Sequence, residues 1–154
     1  TALCAFVILY MQARGYRMTL SEQFTGGLVN LQLCRAQAPL LASEILPVAI
    51  QSLQHTLDYA LTLRAQRTAD IALVLSEGAE EQTNFVLITP DGQFGFIIQF
   101  GLNRYSLATR QEVCALMGLN ILWRWFAGKT LAEDYGWIKV LETFQVEHDL
   151  TVKS

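Results

Sequence analysis

Residues 84–100 read NFVLITPDGQFGFIIQF, two apolar runs around a turn. No other stretch constrains the fold as tightly. β-Branched and aromatic residues fill both runs, as strands prefer. Pro90 and Asp91 suit the centre of a type I turn, and Gly92 can take the left-handed position that closes it. In the second run Phe94, Phe96, Ile98 and Phe100 share one face, while Gln93, Gly95, Ile97 and Gln99 share the other. One face is then buried and the other half-wet, as in an antiparallel sheet covered on one side. DIALVL (70–75) supplies a further strand and GWIKVLETFQVE (136–147) a final one.

Helices surround these strands. The strongest runs from Ser106 to Ala127. Thr109 and Glu112 have capping-box spacing, with Ser106 as the alternative cap, and Gly128 and Lys129 suit the C-terminal end. The helix is apolar nearly all round, so it is expected to be buried on two sides. Residues 2–14 read as a helix ended by Gly15, and Thr25–Gln37 as a second. Ala42 to about Asp58 reads as a third, with Ser43 as cap and Ile45, Val48, Ala49 and Leu53 at helical spacing. From 57 to 67 the pattern is ambiguous: Tyr59, Leu61 and Leu63 alternate, which favours a strand, but a helix could run through. The order implies an α+β fold, helices packed on a small, mainly antiparallel sheet, in one domain over residues 1–154.

Composition narrows the function. The chain is 52% hydrophobic and 16% charged, where a soluble domain is usually about a quarter charged. It has apolar surface to hide in an oligomer, against a missing domain or around an apolar ligand. Net charge is −3 and the eleven basic residues are scattered, which offers nucleic acid no patch. Cys4, Cys34 and Cys114 are an odd count without a CxxC pair, so free, buried thiols in a reducing, cytoplasmic compartment are expected. The apolar opening TALCAFVILYM ends after eleven residues, too short for a membrane span of roughly 20 residues and without the basic start of a signal peptide. The chain lacks an initiator Met and stops at TVKS, which reads as a piece of a longer protein.

Chemistry is sparse. His55 and His148 have no partner at ligand spacing, so neither a metal nor a cofactor is expected. No nucleophile motif or phosphate-binding loop occurs, and an enzymatic role is not expected. NILWRWFAGK (120–129) sets an arginine between two tryptophans in a helix that otherwise reads as buried. Arg124 and Asn120 lie four apart on one stripe. A guanidinium beside indoles can stack on them and hold a carboxylate by two hydrogen bonds. The plain alternative has Arg124 bridging to a carboxylate within the fold or reaching water. The functional reading is a ligand pocket with Arg124 and Asn120 as polar contacts. Trp123 or Trp125 and the Phe94, Phe96 and Ile98 sheet face would form its apolar wall. His55, on the predicted third helix and near Tyr59 in sequence, is a further candidate for a pocket, against the plain alternative of a surface or hydrogen-bonded histidine.

GYRMTLSEQF followed by TGGLVNLQLCRAQ, then LASEILPVAIQSLQHT, YALTLRAQRTADIALVLSEG and RQEVCALMGLNILWRWFAGKTL with WIKVLETF, resembles one ligand-binding domain over about residues 15 to 145. That domain is the arabinose-binding-like N-terminal domain of AraC-type transcriptional regulators. The resemblance implies an effector-binding and dimerisation domain, a homodimer that senses a small-molecule effector, with the DNA-binding helices elsewhere in the protein. The apolar composition and Arg124 point to a small organic acid, a fatty acid or a similar effector. A partner-binding module, such as a small acidic chaperone or assembly factor, is the other reading, and a large exposed apolar patch would mark it.

Overall fold

A computed structural model describes residues 2–101, 105–134, 136 and 138–148, with residues 2–4 as backbone alone. Cys4's side chain, residue 137 of the last expected strand and the TVKS terminus lie outside the described residues. The order is α1 (Ala2–Arg14), β1 (Met18–Glu22), α2 (Leu28–Arg35), β2 (Leu40–Ile45), α3 (Leu53–Arg67), β3 (Ile71–Glu77), β4 (Gln82–Thr89), β5 (Gly92–Phe100), α4 (Leu107–Ala127) and β6 (Ile138–Glu147). The fold is α+β, as the sequence implies. Of the thiols expected to be buried, Cys114 is buried but Cys34 is exposed.

All six strands form one sheet in the order β2-β1-β3-β4-β5-β6. β1 runs parallel to both β2 and β3, and the later pairings are antiparallel. Two cores flank the sheet because successive strand residues point to opposite faces. On one face Val7, Met11, Val29, Leu33, Leu119 and Leu122 from α1, α2 and α4 pack on Leu20, Leu73, Leu75, Phe85, Phe94, Phe96 and Ile98. On the other, Leu53, Ala60 and Leu63 of α3 pack on Ala72, Val74, Val86 and Ile88.

The N-terminal half departs from the sequence expectations. β1 carries MTLSE and every residue of it is buried, including Thr19, Ser21 and Glu22. The segment read as one helix over 42–58 is instead an edge strand, a connection and the start of α3. Ser43 and Glu44 lie in β2, whose half-buried and exposed residues alternate. The cap of α3 is Ser52, whose hydroxyl accepts from the His55 N–H, and the helix runs through the ambiguous stretch to Arg67. In α4 the alternative cap is the one used: Ser106 accepts from the Thr109 N–H. At the hairpin Gly92 pairs with Thr89 but is not left-handed. Its role is steric, because a Cβ there would sit 2.3 Å from the Val146 carbonyl oxygen of β6.

Candidate functional site

In open sheets with parallel strands, ligands bind beyond the C-terminal strand ends, where neighbouring strands send their connections in opposite directions. Here that place lies between β1 and β3. β1 leads through α2 to β2 on one side, and β3 leads to β4 on the other.

The end of β1 is built with care. Glu22 is fully buried, and its carboxylate accepts from the Thr25 hydroxyl, the Val29 N–H (3.2 Å) and the Asn30 N–H (2.8 Å). It caps α2, whose own cap residue, Gly27 at φ 100°, has no side chain to offer. Between them Phe24 adopts φ 65°, and the Thr25 N–H donates to the Gln23 carbonyl two residues back at 2.6 Å. A bulky residue at positive φ is an outlier of the kind that clusters at functional sites. Gln23 ties β1 to β3: its N–H donates to the Leu75 carbonyl (3.0 Å), and its side-chain oxygen accepts from the Glu77 N–H (3.3 Å).

On the α3 face of this edge lies a pocket of about 110 Å³, several times the roughly 10–15 Å³ one water requires. Val74, Leu75 and Leu46 give it apolar walls; Ser21, Gln23, Gln51, His55, Thr56, Tyr59 and Ser76 give it polar ones. Most of those polar groups are already engaged. Thr56 donates to the Ser52 carbonyl (2.8 Å) and lies 2.6 Å from the Ser76 hydroxyl, which also accepts from the Asn84 amide (3.1 Å). Tyr59 donates to Glu44, and burial together with that bond raises its phenol pKa. His55 is exposed at the rim.

On the opposite face, Glu77 is half-buried beside α4. Burial pushes its carboxyl up to about 7, against the opposing pull of Arg110 and the Thr83 hydroxyl, which donates to it at 3.3 Å. Cys114, buried one turn beyond Arg110, is pushed up to about 12 by the same desolvation, so its thiol stays protonated. Among the described residues no group of three or more His, Cys, Asp and Glu side chains is placed to hold a metal ion.

The sequence-predicted residues separate. His55 and Tyr59 line the pocket just described. Arg124 sits in the last turn of α4, where it donates to the Thr130 carbonyl (2.7 Å) and lies 3.9 Å from the Glu133 carboxylate, pinning the segment after the helix. Its Cζ is 5.9 Å from the Trp123 ring, which Lys129 also approaches at 5.3 Å. Asn120 is half-buried one turn earlier. Phe94, Phe96 and Ile98 are buried in the larger core, Phe96 stacked on Phe85 at 4.9 Å. Trp125 lines a second, more open groove of about 380 Å³ with Asp91, Lys129, Leu131, Glu147 and His148. Neither pocket is lined by Arg124, Asn120, Trp123, Phe94, Phe96 or Ile98. Sequence reasoning missed Ser21, Gln23, Thr56, Ser76, Glu77 and Arg110. The signal available was a polar strand end, LSEQ, running into TGG and a helix, which is how a strand-to-helix crossover begins.

No family model matches the chain. It is 50% identical over 133 residues to a CinA-like protein of Escherichia coli (strain SE11) and equally to one of Shigella flexneri, an alignment covering 86% of this chain and 33% of each relative. The chain thus spans about a third of the length of the curated relatives it matches. Among solved structures, a competence or damage-inducible protein from Enterobacter asburiae superposes with a TM-score of 0.69 at 16% identity, over 80% of this chain and 96% of that one. A CinA superfamily protein from Enterobacter cloacae gives 0.70 at 16% identity, over 80% and 90%. At that identity the likeness is one of fold. These findings overturn the resemblance to AraC-type regulators: the relatives are CinA-like proteins, and the fold neighbours are competence or damage-inducible proteins. With it falls the expected role as the sensing domain of a transcriptional regulator, and the chaperone or assembly-factor reading gains no support either. Among the described residues no helix is long and apolar enough to cross a membrane.

Proposed function

We propose that this chain is a non-catalytic, small-molecule-binding module of a CinA-like protein, with its site in the pocket between β1, β3 and α3. The observation that carries the reading is the pocket's position at the β1/β3 switch point, with apolar walls and convergent polar groups. Binding is favoured over turnover because the candidate nucleophiles are committed. The Ser76 and Thr56 hydroxyls bond to each other and to neighbours, Tyr59 serves Glu44, and Glu22 serves α2. A small neutral ligand with an apolar face and one or two hydrogen-bonding groups fits such a lining. A cytoplasmic location and a homodimer belong to the same reading, supported by the free Cys34 and Cys114 thiols and by exposed Leu9, Leu107 and Leu116.

The test is methyl-detected NMR of the 154-residue chain against a library of small amides and hydroxylated aromatics. Binding is expected to shift the Val74, Leu75 and Leu46 methyl signals, and His55→Ala or Tyr59→Ala to weaken it about tenfold, the loss of roughly one hydrogen bond. Hits that shift only methyls far from α3 would overturn the site. Product signals growing in during incubation would overturn its non-catalytic character.

A further inference from the structure

Arg110 stands in the first turn of α4, on the opposite side of the sheet from the pocket. Its guanidinium lies 5.0 Å from the centre of the Phe24 ring and 5.9 Å from that of Phe100. Its Nη1 is buried and has no hydrogen-bond partner. Among the described residues no carboxylate comes within 4 Å of it. Arg110 as a whole is half-buried, but a buried guanidinium nitrogen left without a hydrogen-bond acceptor is costly, and native proteins rarely leave one so. The helix deepens the anomaly. The first turn of α4 holds no acidic residue, so Arg110 adds its charge to the end of the helix that is already positive. The surroundings hold the group in place. Gln111, the next residue, donates from its amide to the Phe24 carbonyl (2.8 Å), fixing the unusual backbone of Phe24 under the guanidinium.

We infer that Arg110, walled by Phe24 and Phe100, is the receptor for a small oxyanion group, a carboxylate or an inorganic oxyanion. The missing acceptor is then the ligand. The two phenyl rings, at 5.0 and 5.9 Å, lower the polarity around the guanidinium, and a charge-assisted hydrogen bond is stronger in such surroundings. Glu77 sets the pH range. Facing it are Arg110 and Cys114 from α4, Thr83 from β4 and Glu81 from the adjoining turn. Burial raises its carboxyl to about 7, so below that pH Glu77 is neutral and Arg110 is open to an external anion. Above it Glu77 ionises, competes for the guanidinium and repels the ligand.

The probes are sulfate, whose charge is constant between pH 6 and 8, and benzoate, each against sodium chloride of equal ionic strength. Thermal unfolding and calorimetric titration of the 154-residue chain read the result. Either probe is expected to stabilise the protein at pH 6 and to lose affinity as pH rises through about 7. Tighter binding of benzoate would assign the site to an organic carboxylate, and tighter binding of sulfate to an inorganic oxyanion. Arg110→Met is expected to bind at least about tenfold more weakly and, without anion, to be no less stable than the parent. Glu77→Gln should flatten the pH dependence. Equal stabilisation of parent and Arg110→Met, or none of the parent, overturns the assignment. Should Arg110→Met fail to fold, Glu77→Gln decides: a pH dependence it leaves unchanged overturns the assignment, and a flattened one sustains it.

Discussion

Glu22→Ala tests how the whole strand-end is held. The carboxylate of Glu22 is fully buried and has three donors: the Val29 and Asn30 N–H groups of α2 and the Thr25 hydroxyl. Alanine leaves two backbone N–H groups without an acceptor, at about 1–3 kcal/mol each. It also takes a negative charge from the positive end of a helix, worth about 0.3–1 kcal/mol and up to ~2 kcal/mol when partly buried. Gly27 at the cap position has no side chain to substitute. The expected loss is about 3–5 kcal/mol, a large part of the ~5–15 kcal/mol that holds a domain together. Glu22→Gln keeps one acceptor oxygen but turns an NH₂ towards an N–H, so its loss should be smaller, about 1.5–3 kcal/mol. Urea unfolding followed by circular dichroism and by tryptophan fluorescence measures both, with an unchanged slope certifying that the native state is intact. A loss below about 1 kcal/mol for Glu22→Ala would refute the capping argument and with it the claim that Glu22 is committed to structure.

Two further substitutions probe packing and backbone. A Cβ at Gly95 would stand 2.4 and 2.6 Å from ring carbons of Phe144 and 3.1 Å from the Phe85 carbonyl oxygen; Gly95→Ala should cost about 1–3 kcal/mol by overpacking, and Phe144→Leu in the same chain should recover part of it in denaturant titrations. Thr68 ends α3 at φ 53° and ψ 42°, a left-handed conformation for a β-branched residue. Thr68→Gly should therefore raise stability by about 0.5–1 kcal/mol after the glycine's greater unfolded-state entropy is set against the relief of strain, and a lower melting temperature in calorimetry would refute this.

The C-terminal two-thirds was legible because its elements obey local rules. The hairpin has period two and a turn sequence, and α4 has a cap, a run of helix formers and a glycine stop. The N-terminal third hides its rules. β1 is buried on both faces in spite of Thr19, Ser21 and Glu22, so its polar residues hide the strand and the stretch between the first two helices carries no assignment. β2 is half-buried along one edge, and Ser43 and Glu44 imitate a helix cap that tertiary pairing overrides. Without β1 and β2 there is no parallel pair, without a parallel pair no switch point, and the pocket could not be located. Arg124 drew notice by its tryptophan neighbours, yet it ties down the exit of a helix. Arg110 has no aromatic neighbour in sequence. Phe24 and Phe100 reach it from 86 and ten residues away, which only the fold brings together. The likeness to regulators rested on glycine-led and tryptophan-ended helices, and such caps recur wherever helices start and stop.

The distribution of buried polar residues is the reason to look for function at this edge and not elsewhere. Burying a polar side chain costs free energy unless it is fully hydrogen-bonded, and an apolar residue in its place is seldom worse for stability. Among the described residues, the buried polar side chains other than Thr19 and Thr89 gather in one place: Ser21 and Glu22 at the end of β1, Gln23 and Thr25 just after it, Ser76 on β3 with its partner Thr56, and Thr83 and Asn84 facing β3 from β4. The opposite end of the sheet has no comparable group. A fold selected for stability alone has no cause to concentrate that cost at the C-terminal ends of its parallel strands. Ser76 and Glu77, adjacent in β3, then turn to opposite faces by strand geometry alone. One lines the α3 pocket and the other stands by Arg110, with Gln23 bonded to the backbone between them. The two proposed sites are therefore two faces of one strand-end, and a substitution at Gln23 is the single change placed to disturb both.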